Sequence, residues 1–123
     1  MKFGTSIQCM DGRIQEPILK YIKENYDIEF IDTITEAGPN LYLSVHDNVD
    51  VIKSIYQRID ISKNKHGSKL IFISGHYDCA GNPVKKEIQL KHINESAEFL
   101  GTSYPDMQIV KLWVNKNWKV EKI

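Results

Sequence analysis

Of the two cysteines and four histidines, donors that zinc prefers, Cys9, His76 and Cys79 stand where they could share one ion. His76 and Cys79 stand in Gly75-His76-Tyr77-Asp78-Cys79, a spacing that lets two side chains of one loop converge on one ion. Cys9 is far away in the chain, so a shared site requires the fold to bring two loops together. Three protein ligands would leave the fourth tetrahedral position to water or substrate, the pattern of catalytic rather than structural zinc. The plainer reading is two small buried thiols and a hydrogen-bonded loop histidine. Spacing alone does not separate the two readings.

Two carboxylates and one guanidinium sit close by in sequence. Asp11 could serve as a fourth ligand, or accept a hydrogen bond from metal-bound water. Arg13 could hold that carboxylate through a bidentate pair and keep it off the metal. An ordinary ion pair closing the loop would look the same. Asp78 could order the second loop by accepting backbone donors, or be a surface turn residue. A metal-free Cys–His nucleophile is chemically reasonable, but it gives the second cysteine and the Asp11–Arg13 pair no joint role.

The elements that must position these residues follow from the apolar pattern. Residues 3–9 read as a strand ending at Cys9, and Leu70–Ile73 as a buried strand running into Ser74-Gly75. Ile18, Leu19 and Ile22 form a helix stripe, with Pro17 expected in its first turn. Asp27–Ile31 reads as the next strand and Ala37-Gly38-Pro39-Asn40 as a turn. Leu41–Leu43 is either a short extended piece or core packing. Asp47 or Asn48 caps a helix whose buried face carries Val51, Ile52, Ile55, Tyr56 and Ile59. Asn82-Pro83 is expected to start a helix reaching about Phe99, with Val84, Ile88, Ile93, Ala97 and Leu100 inward and Pro105 as its stop. Met107–Val114 and Trp118–Ile123 read as strands joined by Asn115-Lys116-Asn117. The expected fold is therefore α/β: a mainly parallel β-sheet flanked by helices, with a C-terminal antiparallel hairpin. Ligands of such sheets collect at the carboxyl ends of the strands, where both Cys9 and His76 fall.

Composition narrows the classes. The 123 residues suit one domain spanning 1–123. Sixteen basic and sixteen acidic side chains balance, which gives no field for nucleic acid or an anionic membrane. No apolar run approaches a membrane span, and Met1–Thr5 lacks a signal-type segment, so a cytoplasmic protein is expected. In a reducing compartment, two cysteines are better read as metal ligands or free thiols than as a disulfide. A glycine-rich dinucleotide loop and a phosphate-binding Gly-Lys-Ser loop are both missing.

Cys9-x-Asp11-x-Arg13 followed by Gly75-His76-x-x-Cys79 resembles the β-class carbonic anhydrases. The likeness spans most of the chain: Ala37-Gly38-Pro39-Asn40 is similar to that family's Asn-Ala-Gly-Asn loop, and Leu112–Ile123 to its final hairpin. The resemblance implies that Cys9, His76 and Cys79 bind Zn2+ and that Asp11 and Arg13 are the catalytic dyad. It also implies that zinc-bound hydroxide converts carbon dioxide to bicarbonate and that the protein is a homodimer. His46 or His92 could then shuttle protons, although each is also an ordinary loop or helix-surface histidine. Tyr77 could shape the cleft, and Trp113 or Trp118 could contribute subunit contacts or simply cover the sheet. The sequence departs from the family pattern in reaching Cys9 without preceding helices. Ala80 replaces a glycine, and Glu36 an asparagine. Those departures keep two other readings in play: a zinc-binding module without hydratase activity, or a related lyase or hydrolase acting on another small molecule.

Overall fold

The computed structural model describes residues 2–123; Met1 lies outside the described residues. In chain order, the elements begin with β1 (Phe3–Cys9), α1 (Gly12–Asn25), β2 (Phe30–Glu36), α2 (Pro39–Val45) and α3 (Val49–Asn64). They continue with β3 (Leu70–His76), α4 (Lys86–Ser103), β4 (Gln108–Val114) and β5 (Val120–Lys122). The strands form one sheet in the order β2-β1-β3-β4-β5. The first four are mutually parallel and β5 is antiparallel to β4, with Val114 facing Val120 in the register. No described helix is long and apolar enough to cross a membrane.

β3 sits at the centre because its residues satisfy two apolar layers at once. Successive side chains of a strand point to opposite faces. Ile71 and Ile73 join one cluster with Leu43, Ile55, Ile59, Ile93 and Leu100 from α2, α3 and α4. Phe72 joins the other, with Ile14, Ile18 and Ile22 of α1. Such fully buried side chains each contribute about 1.5–3 kcal/mol over an exposed state. The sheet is thus held between α1 on one face and three helices on the other. β1 lies between β2 and β3, so the chain leaves its central strands in opposite directions at the β1/β3 boundary. Cys9 and His76 close these two strands, and the crevice outside them is where an open α/β sheet binds ligands.

Several boundaries differ from the sequence expectation. β2 lies at Phe30–Glu36 rather than Asp27–Ile31, because it is a sheet edge whose polar Asp32, Thr33 and Thr35 tolerate partial exposure. The expected turn at Ala37–Asn40 instead launches α2: Gly38 takes φ 64° as its N-cap and Pro39 opens the helix. Leu41–Leu43 is accordingly helical. Pro17 lies well inside α1 rather than in its first turn, because the Asp11 carboxylate accepts the Arg13 N–H and starts the helix early. Asn48 does cap α3, accepting from the Val51 N–H. Asn82-Pro83 does not cap α4, which starts at Lys86 and runs past Phe99 to Ser103. The buried stripe of α4 is Gln89, Ile93, Ser96 and Leu100, while Val84 is exposed. The final strand is shorter than expected, covering Val120–Lys122, because Trp118 belongs to the turn.

Candidate metal centre

β1 and β3 deliver Cys9 and His76 at their carboxyl ends, and the loop after β3 folds back to bring Cys79 beside them. One donor atom from each of the three residues lies within 4.8 Å of the other two, and all three side chains are buried. The Cys79 thiol donates to the Cys9 sulfur across 3.8 Å. Two sulfurs each about 2.3 Å from a tetrahedral zinc would stand about 3.8 Å apart, so the pair already has the spacing of a thiolate–zinc centre. His76 Nδ1–H donates to the Tyr77 carbonyl at 2.7 Å, which fixes the tautomer and leaves Nε2 with the lone pair. That Nε2 is buried without a hydrogen-bond partner. An orphaned buried acceptor is costly unless something electrophilic faces it. The donor set, the sulfur spacing and the orphaned nitrogen all fit zinc.

The electrostatics point the same way. The hydrogen bond from Cys79 holds the Cys9 thiol well below its usual range against the opposing effect of burial, helped by His76 and by the Gly38 and Asp11 N–H groups. Cys79 is pushed well up by that same bond, then by burial and the Cys9 charge. A divalent cation between them would take the place of the shared proton and let both sulfurs bind as thiolates. Burial pulls the His76 imidazole down, but its contacts with Cys9, the Tyr77 carbonyl and Asp11 outweigh that and leave it raised.

Asp11 stands next to this trio but outside the set of mutually close donors. Arg13 occupies it from three directions. Oδ1 accepts from the Arg13 N–H and Nε–H at 2.9 and 3.0 Å, and Oδ2 from Nη2 at 2.7 Å. This clasp holds the Asp11 carboxyl at about 2, below its usual range. Arg13 also reaches the other loop, donating to Asp78 Oδ2 at 3.2 Å and to the Asp78 carbonyl at 3.1 Å. Asp78 is thus an exposed turn residue with φ 57°, the plainer of its two sequence expectations, and its carboxylate and carbonyl accept from Arg13 rather than its carboxylate from backbone donors.

Two glycines lock the loops around Cys9 and Cys79, a feature that sequence reasoning missed. A Cβ on Gly81 would lie 2.3 Å from the Ala37 carbonyl carbon, and one on Gly38 would lie 2.6 Å from the Gly81 carbonyl carbon. Backbone meets backbone there, and only glycine allows it. The result aims the Gly38 N–H at Cys9, and the Asn82 and Gly81 N–H groups at Cys79. The glycine types at 38 and 81 were the available signal, but their pairing is invisible in one dimension.

A cleft of about 440 Å³ opens over His76 and Cys79, walled by Tyr77, Ala80, Val84, Lys86 and Trp113. A larger hollow of about 600 Å³ between α1 and the final hairpin involves Tyr21, Trp118 and Val120 and lies apart from the sulfur–imidazole group. Neither His46 nor His92 joins the donor cluster. His46 stacks on Phe99 with ring centres 3.9 Å apart, and His92 Nδ1 meets Asn82 Nδ2 at 2.9 Å.

Comparison with known proteins gives this arrangement a family. A family model described as "Putative carbonic anhydrase" matches residues 1–123. Among solved structures, the chain is similar to one from work on two tetrameric beta-carbonic anhydrases of the filamentous ascomycete Sordaria macrospora. The TM-score is 0.56 at 8% identity, over 99% of this chain and 80% of that one. At that identity the likeness is one of fold. No curated protein matches in sequence. With the family model covering its whole length, the chain belongs to the carbonic anhydrase family.

Proposed function

We propose that this protein is a zinc-dependent carbonate dehydratase that interconverts carbon dioxide and bicarbonate. The observation that carries the reading is the pair of sulfurs 3.8 Å apart with a buried imidazole donor atom within 4.8 Å of both. Cys9, His76 and Cys79 hold the ion. Zinc, when bound, supplies Lewis acidity that makes water a usable nucleophile near neutral pH.

The remaining work falls to the chain's own side chains. The Tyr77 carbonyl keeps His76 in the tautomer that offers Nε2. N–H groups from Gly38 and Asp11 temper the Cys9 thiolate. Asp11 Oδ1 already accepts two hydrogen bonds, while Oδ2 accepts one from Arg13 and keeps an acceptor site free. That site accepts a hydrogen bond from the reacting water and orients its oxygen toward carbon dioxide, while the water's proton leaves to solvent. Arg13 holds the carboxylate in that role and out of the ligand set. The apolar sides of Val84 and Trp113 give carbon dioxide a wall to lie against. Two cysteines kept as metal ligands suit a reducing cytoplasm. Homodimer assembly is proposed on family grounds.

The test is stopped-flow hydration of carbon dioxide by zinc-loaded protein, alongside Cys79→Ser and Asp11→Asn. Asparagine still caps α1, so Asp11→Asn is expected to keep its zinc and lose hydration by about 100-fold. Cys79→Ser is expected to lose both. Wild-type protein that carries zinc yet hydrates nothing across neutral pH would refute the hydratase reading and favour a zinc-binding module.

A further inference from the structure

Trp118 occupies a backbone position that suits its side chain poorly. The chain turns from β4 to β5 through Asn115–Lys119. The Trp118 N–H donates to the Asn115 carbonyl at 2.9 Å, and Asn115 Oδ1 accepts from the Asn117 and Lys119 N–H groups. At the end of this turn Trp118 has φ 60°. Hairpin loops usually place glycine at such a position, because a Cβ crowds the neighbouring carbonyl. The turn's hydrogen bonds come from the backbone and Asn115, so they give no reason for an indole. Backbone strain of this kind persists where the surroundings use it.

The use lies at the ring. The Arg13 guanidinium carbon sits 4.4 Å from the Trp118 ring centre, and Tyr77 meets the same ring edge-on at 6.4 Å. We infer that Trp118 is a positioning residue for the metal centre: its indole face fixes the Arg13 guanidinium in the orientation from which it clasps Asp11 and ties the Asp78 loop to it. The Arg13 side chain is 45% exposed, and an ion pair with that much water around it is ordinarily loose. Arg13 nonetheless reaches four acceptors on two separate loops. Those bonds use the edges of a planar cation. The indole takes a face, competes for none of the donors, and restricts rotation out of that plane. The hairpin end of the sheet is thereby coupled to the carboxylate beside Cys9.

The inference rests on the proposed role of Asp11 for its kinetic readout alone, and a spectroscopic readout tests it separately. The experiment uses full-length 15N-labelled protein with Trp118→Phe, Trp118→Leu and Trp118→Gly, and Arg13→Lys assigns the Arg13 Nε–H signal. Phenylalanine keeps an aromatic face, and leucine keeps bulk without one. Glycine accepts φ 60° freely, so its hairpin is expected to fold at least as well as the leucine variant's. Expected is a slowly exchanging Arg13 Nε–H in wild type and Trp118→Phe, with exchange about tenfold faster in the leucine and glycine variants. Hydration kcat/KM should follow the same order while zinc content stays constant. Equal Arg13 exchange in all four proteins would overturn the inference. So would a loss in Trp118→Phe as large as in Trp118→Leu, which would make the ring a packing element. Faster Arg13 exchange in a protein whose wild type hydrates nothing would uphold the positioning role and refute the hydratase reading.

Discussion

Gly81→Ala puts the locked loops to a direct test. The added methyl would lie 2.3 and 2.4 Å from the Ala37 carbonyl carbon and oxygen and 2.6 Å from the Gly38 nitrogen. All three are backbone atoms, so no side-chain rotation relieves the clash. Ordinary contact begins near 3.4 Å, so the loops must separate by about 1 Å. Overpacking of this kind costs about 1–3 kcal/mol, and a rigid backbone neighbour places it toward the upper end. The separation also draws the Gly38 N–H away from Cys9 and disturbs the Gly81 N–H at Cys79. Loss of such supporting hydrogen bonds weakens metal binding by about 10–100-fold. Urea unfolding reads the first quantity, and competition with a chromophoric zinc chelator reads the second. Gly12→Ala is the control: its Cβ meets nothing within 4 Å and it lies at the start of α1, so it should leave both unchanged or raise stability slightly. The reasoning is refuted if Gly81→Ala unfolds and binds zinc as the wild type does.

Other consequences are as direct. Arg13→Lys keeps the charge but cannot reproduce the forked bonds to Asp11 and Asp78. Hydration should fall about 10–100-fold with zinc content intact, as read by stopped flow and metal analysis. Burial and the hydrogen bond to Asp60 at 2.7 Å push the Tyr104 phenol above its ordinary 10.0, so the folded protein resists its ionisation. That contribution is fully present below pH about 10 and is lost as pH climbs through the raised value. Thermal melts should accordingly show Tyr104→Phe losing less stability than wild type between neutral and strongly alkaline pH. Chelation of zinc should lower the melting temperature and make both thiols titratable by a disulfide reagent, since an ion bound only to the folded state stabilises it. An unchanged melting curve after chelation would contradict the site.

The central strands were legible because burial on both faces leaves an apolar run, as in Leu70–Ile73, that only a strand between two layers requires. The ligands were legible because metal chemistry restricts residue type: Cys9, His76 and Cys79 stood out by identity before any distance was known. β2 was misplaced because an edge strand with Asp32, Thr33 and Thr35 lacks the apolar signal its central neighbours carry. Asn82-Pro83 mimicked a helix start, but the backbone around Gly81 and Asn82 is committed to the Cys79 sulfur and to the Ala37–Gly38 contact, so α4 begins later. α2 was hidden behind Gly38 and Pro39, which read as a turn until Gly38 is seen to hold the N-cap. The bidentate Asp11–Arg13 pair was anticipated from spacing. The Arg13 bonds to Asp78 and its stack on Trp118 were not, because they depend on the sheet bringing three distant loops to one end.

The central claim is a metal held by two sulfurs and one imidazole, and zinc-edge X-ray absorption of the reconstituted protein tests it most directly. The account predicts one zinc per chain, with two sulfur neighbours at about 2.3 Å, one imidazole nitrogen at about 2.0–2.1 Å and one further light atom. A shell made only of nitrogen and oxygen, or a protein that takes up no zinc under reducing, zinc-replete conditions, would contradict it.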